Sequence, residues 1–149
     1  MKKKFGLFAF LMIVGIFSIF TITKVNAAGW SSTLNLPYGV FYTGAMRQYG
    51  SGSHRISIQV DGFNTSSGSV RKSGSTTMEV ELHDIATGYL FGHNIGTYTY
   101  ATCHDVWMGT FDSGYRKYAF NSRIYNSATG TYTNYDGVKS SHVYMYPLP

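Results

Sequence analysis

The chain contains a single cysteine, Cys103, so no disulfide can form within it. Only three prolines are present, and charged residues make up 13% of the 149 positions. A proline-rich spacer and a charge-dominated disordered segment are therefore both excluded. The five histidines (His54, His83, His93, His104, His142) and Cys103 show no His-x-His, His-Glu-x-x-His or Cys-x-x-Cys spacing. Without such spacing no metal site is expected, and no other cofactor is implied. Clustered loop aspartates of the calcium-binding kind are missing as well, because Asp136-Gly137 stands alone. No window sustains a 3.6-residue apolar period, which argues against helices.

One long apolar run does exist, at the N-terminus. Lys2, Lys3 and Lys4 precede Phe5–Ile22, and Val25-Asn26-Ala27 then offers compact residues where a signal peptidase cuts. This order predicts a secretory signal peptide over 1–27, a secreted domain over 28–149, and no membrane span left after cleavage. The leader holds four of the twelve basic residues and none of the seven acids, so the exported domain carries a formal charge of only +1. A nucleic-acid partner, which the whole-chain pI near 9.3 suggests, is thereby excluded as an expectation. The remaining pairs Arg71-Lys72 and Arg116-Lys117 read as solvated turn and strand residues. The basic leader and the scarcity of cysteine resemble exported proteins of Gram-positive bacteria.

Aromatic and turn-forming residues dominate the rest of the chain. All 13 tyrosines, both tryptophans and 15 of 17 glycines lie after Ala27. Such a composition suits pleated, half-buried strands joined by tight turns. Period-two alternation places Ile56, Ile58 and Val60 on one face, Met78, Val80 and Leu82 on another, and likewise Tyr118, Phe120 and Ile124, then Val143 and Met145. Turn signals recur at Gly50–Ser53, Asn64–Gly74, Thr87-Gly88, Asp112–Gly114, Ala128–Gly130 and Asp136-Gly137. Strands are predicted at 30–37, 39–48, 54–61, 76–84, 95–102, 104–111, 115–126 and 131–146, the last in one or two pieces. Short antiparallel strands at this spacing predict an all-β, single-domain, two-sheet sandwich of Ig-like or jelly-roll-like kind.

No catalytic constellation emerges. Cys103-His104-Asp105 joins a nucleophile, a base and a carboxylate, but neighbours on a strand face opposite ways. Cys103 is expected on the core face with His104 outside. Glu79 and Glu81 share a strand face at glycosidase-like proximity, yet their alternation with Met78, Val80 and Leu82 reads as a solvated face. Asn64-Thr65-Ser66 fits the N-glycosylation pattern and, in a bacterial protein, reads as a polar turn. Trp30 is expected to staple the first strand, and Trp107 to enter the core. Tyrosines are expected mostly to widen the core, while Tyr98 with Tyr100, and His142 with Tyr144 and Tyr146, form rows suited to sugar rings or protein surfaces.

The sequence supports three readings of function. The first is a secreted, non-catalytic module that binds a cell-wall glycan or a protein surface through its aromatic positions; its ligand residues are not specified by the sequence. The second is a bacteriocin-like protein acting on a neighbouring cell envelope. Tyr38-Gly39-Val40 and Tyr49–Ile56 resemble lactococcin 972-like bacteriocins, which are small secreted β-sandwiches, and Thr65–Thr77 has the Ser/Thr/Gly content of a pore-lining strand. The third, an enzyme, lacks a nucleophile, acid–base or metal constellation. Secreted material is expected to begin at Ala28, which its intact mass reports directly; a mass that retains 1–27 contradicts cleavage.

Overall fold

The computed structural model describes residues 30–84 and 86–149, and the expected leader at 1–27 lies outside them. The described residues form strands and no helix. In chain order the strands are β1 (Trp30–Asn35), β2 (Phe41–Thr43), β3 (Arg47–Tyr49), β4 (Gly52–Gln59), β5 (Gly62–Asn64), β6 (Val70–Arg71), β7 (Ser75–Asp84), β8 (Leu90–Thr99), β9 (Cys103–Phe111), β10 (Gly114–Asn121), β11 (Arg123–Asn126), β12 (Thr131–Asn134) and β13 (Gly137–Tyr146). Sheet A runs β6-β5-β13-β4-β9, with β1 on the other side of β13. Sheet B runs β2-β10-β7-β8, with β3 also on β10. All pairings are antiparallel, and β11–β12 is a separate hairpin. The two sheets pack together as the expected β-sandwich.

The predicted inward faces supply the core from both sheets. Ile56, Ile58, Val60, Met78, Val80, Leu82, Tyr118, Phe120, Val143 and Met145 are all buried, with Tyr49 and Tyr98 between them. Burying these side chains is the main source of stability in a domain without disulfides. The phenols of Tyr98 and Tyr118 find no hydrogen-bond partner among the described residues, and burial pushes both pKa values up. They act here as large apolar rings.

Register along β13 is continuous across a gap. His142 opposes Gln59 and Lys139 opposes Gly62, so β4 and β5 follow one register on β13. Between them Val60 turns its backbone toward the β8–β9 loop, donating to Thr102 O at 3.0 Å and accepting from Ala101 N at 2.9 Å. Asp61 still donates to Lys139 O at 2.9 Å. Its carboxylate accepts both the backbone N–H and the hydroxyl of Ser141, replacing the missing ladder bond. Those contacts, the hydroxyl first, hold the Asp61 carboxyl below its usual range.

The two long sides of the sandwich are finished differently. On one, Gly92 of β8 lies so close to the Met108 carbonyl of β9 that a Cβ there would collide with it. On the other, the Trp30 indole donates to Gln48 O at 2.9 Å, and the Arg47 guanidinium stands 5.1 Å from its ring. Trp30 thus staples β1, as expected, and it reaches across to sheet B. Between the sheets on this side lies a cavity of about 110 Å³ lined by residues such as Leu34, Tyr42, Arg47, Tyr118 and Met145.

Element boundaries differ from expectation where side chains intervene. The strand expected at 95–102 starts earlier, at Leu90, because the Asp84 carboxylate takes the N–H groups of Ala86 and Thr87 at 2.7 and 3.0 Å and tightens the turn. The run 115–126 breaks at Ser122, whose hydroxyl accepts from Val40 N at 2.9 Å and donates to Pro37 O at 2.8 Å. The Ser/Thr/Gly-rich stretch 65–77 is not one amphipathic strand; it is divided among a turn, β6 and the start of β7. Ile58→Ala is expected to lower stability by about 2–5 kcal/mol, read from the urea unfolding midpoint. Gly92→Ala should also destabilise, because the new methyl meets backbone that cannot rotate away.

Candidate functional site

Inward burial of alternate residues leaves their neighbours in sheet A facing solvent. On β9 the phase is set by Val106 and Met108, 8% and 5% exposed, so Cys103, Asp105 and Trp107 point outward. On β4 the outward set is Ser53, Arg55, Ser57 and Gln59, and on β13 it is His142, Tyr144 and Tyr146. Register then aligns these across three strands. Tyr146 opposes Arg55, which opposes Trp107; Tyr144 opposes Ser57, which opposes Asp105. The result is a sheet surface with aromatic and hydrogen-bonding rows.

The rows hold their side chains in place. Trp107 is 64% exposed, and its indole N–H donates to Ser53 Oγ at 3.1 Å. The Arg55 guanidinium lies 5.3 Å from the Tyr146 ring and bridges to Asp105 at 3.3 Å. Asp105 also accepts the Ser57 hydroxyl at 2.9 Å. Tyr144, 40% exposed, stacks on His142 with 6.4 Å between centroids and 23° between planes. Exposed ion pairs like Arg55–Asp105 contribute little stability, so this network chiefly positions polar groups beside the rings.

Several expectations need correction. Cys103 is exposed, and His104 is the inward neighbour, its ring against Tyr98 at 4.9 Å and its Nε2 accepting from Thr99 N at 2.9 Å. The inverted assignment follows from the β9 phase, in which even positions carry the core residues. By the same phase Trp107 lies on the surface and not in the core. Tyrosines depart too: Tyr49, Tyr98 and Tyr118 are buried, whereas seven others, Tyr144 among them, are exposed.

Arg116 departs from expectation as well. It is 4% exposed instead of solvated, because it shares the inward parity of Tyr118 and Phe120 on β10. Its Nη1 donates to Nε2 of the buried His54 at 3.1 Å, while His54 Nδ1 faces Gly52 O at 2.9 Å. Nδ1–H therefore donates to Gly52, and Nε2 keeps its lone pair for Arg116. Burial first, with the Arg116 charge adding to it, holds the His54 pKa below its ordinary value. Arg71, also expected to be solvated, bridges to Asp136 at 2.7 Å and rests 4.7 Å from the Phe63 ring.

The remaining sequence candidates are dispersed. Glu79 and Glu81 do share an outer face, on sheet B, and each is engaged by histidine: Glu79 by His93 at 3.2 Å and Glu81 by His83. The Asn64 side chain donates to Asn35 Oδ1 at 2.9 Å and to Leu36 O at 2.7 Å, a polar tie between strands. Among the described residues, no group of three or more His, Cys, Asp or Glu side chains is placed to hold a metal ion. Comparison with known protein families, curated proteins and solved structures finds no match to this chain.

The His54 pairing has a pH signature. With the folded pKa below the unfolded value near 6.5, the unfolded chain binds the extra proton first on acidification. Stability should be full above about pH 6.5 and decline below it, measured by urea midpoints between about pH 7 and about pH 5. His54→Gln is expected to flatten that decline, and an unchanged slope contradicts the assignment.

Proposed function

We propose that this chain is a non-catalytic binding module that holds an extracellular glycan on the outer face of sheet A. The observation that carries this reading is the aligned row Tyr146–Arg55–Trp107, with Tyr144, Ser57 and Asp105 in the row beside it. A pyranose ring presents an apolar C–H face to an aromatic ring and equatorial hydroxyls at its rim. An exposed indole and phenol supply the first contact, and Asp105, Arg55 and Ser57 lie where hydroxyls need partners. A row of rings across strands also suits a repeating polymer better than one isolated sugar.

A protein surface is the second reading, favoured by a different patch. The β11–β12 hairpin carries Tyr125 and Tyr132, 54% and 56% exposed with centroids 5.2 Å apart. Arg123 stacks 4.5 Å over Tyr132. Exposed Tyr and Arg together are enriched at protein interfaces.

Pull-down on purified peptidoglycan separates the two. Wild-type protein should be retained and released by soluble sugar, while Trp107→Ala should lose affinity by roughly 30-fold, the effect of removing an aromatic anchor. Trp107→Ala should change folding stability by no more than about 0.5 kcal/mol, as for a surface position. Retention of the variant, or no retention of wild type on any glycan, overturns the sheet A assignment.

A further inference from the structure

Both sheets are irregular along the side of the sandwich that Trp30 spans. In sheet A the β1–β13 register shifts between Ser32 and Leu34. In sheet B, β2 and β3 pair with β10 in turn, and four steps from Thr43 to Arg47 match three from Ala119 to Arg116. Bulges of this kind disrupt the ladder and re-aim side chains. The cavity of about 110 Å³ between the sheets is lined from both of these segments. Leu34, Phe120, Val143 and Met145 supply buried apolar walls, and the exposed Thr33 and Ala45 stand at its mouth.

Arg47 is the charged residue on this lining, and it is half-buried. Its guanidinium stands 5.1 Å from the Trp30 ring, which engages the flat face of the group and leaves the N–H fork at its edge free. Unlike Arg55, Arg71 and Arg116, Arg47 makes neither an ion pair nor a guanidinium hydrogen bond among the described residues. Its cross-strand neighbour on β10 is a second cation, Arg116, and the acid of that row, Asp84, stands beyond Arg116 on β7. Asp84 acts electrostatically on Arg116 and gives its carboxylate to the N–H groups of Ala86 and Thr87. Two guanidinium groups thus share one row with a single carboxylate, and the second of them lies at the cavity.

We propose that this cavity binds a short aliphatic carboxylate, with its tail between the sheets and its acid group gripped by Arg47. Two parallel N–H groups match the two carboxylate oxygens. At roughly 30 Å³ per methylene-sized group, the space takes a tail of about four carbons, as in pentanoate. A longer acid cannot keep its tail inside and its head on Arg47 at once. The site is separate from the outer face of sheet A and does not depend on the glycan reading.

Titration of the ¹³C-methyl-labelled protein with sodium pentanoate at neutral pH tests this by NMR. Propanoate, butanoate, octanoate and 1-pentanol serve as parallel arms. Pentanoate should shift the Leu34, Val143 and Met145 methyl resonances saturably at millimolar concentration. From propanoate to pentanoate each added methylene should tighten binding roughly threefold, and octanoate should gain nothing further. The alcohol 1-pentanol fills the same space without a charge and should bind at least about tenfold more weakly. Arg47→Gln should bring pentanoate down to the level of 1-pentanol, an effect that loosened packing alone does not produce. Ala45→Phe, at the exposed mouth, keeps the test valid should Arg47→Gln fail to fold, and it should weaken pentanoate several-fold by obstruction. A cavity holding water only, seen as no saturable methyl shift in wild type, overturns the proposal. So does 1-pentanol binding as tightly as pentanoate, a continued gain to octanoate, or unchanged pentanoate affinity in Ala45→Phe.

Discussion

Register on β13 governs nearly everything else in this molecule. Its pairing with β4 and β5 decides which side of sheet A is core and which is surface. A slip of β13 by one residue would expose Val143 and Met145 and bury Tyr144 and Tyr146. The core and the aromatic rows are therefore two consequences of one alignment. That alignment survives an interruption because Asp61 reaches Ser141 where Val60 has turned away to the β8–β9 loop. A carboxylate standing in for a ladder carbonyl lets the strand change partners without losing its place.

Alternation makes the core legible in the sequence. Wherever three or more apolar residues alternate with polar ones, as in Ile56–Val60 and Met78–Leu82, burial follows the pattern. The β9 segment has a weaker signal, because both of its faces carry apolar or sulfur-containing residues. Residue type alone places Cys103 and Trp107 inside, whereas Val106 and Met108 set the phase. Asp105, between Cys103 and Trp107 in the same parity, is the residue that marks this face as wet. Gly109, at φ 132° where the register shifts, then ends the simple alternation.

Arg116 is legible in the same way and is masked by its charge. It precedes Tyr118 and Phe120 by even steps, so alternation alone places it inside. What alternation does not convey is the company that makes burial tolerable: Phe91 from β8, Phe111 from β9 and His54 from β4. These come from three distant strands, and only the assembled sandwich brings them together. The sheet A rows share that character, since Trp107 and Tyr146 are joined through a β4 residue remote from both in sequence.

The unequal long sides of the sandwich give it the mechanics of a bound book. The spine is the β8–β9 seam, where backbone meets backbone at Gly92 and leaves no room for a side chain to act as a hinge pin. The opposite edges are clasped by a few contacts, with the Trp30 indole of sheet A fastened to the Gln48 carbonyl of sheet B and the Gly50 N–H donating to the Leu148 carbonyl at 3.1 Å. Covers joined this way do not part evenly. The seam holds by close backbone approach and the clasp by side chain and tail, so a substitution such as Trp30→Ala loosens one edge of a disulfide-free fold and leaves the other closed.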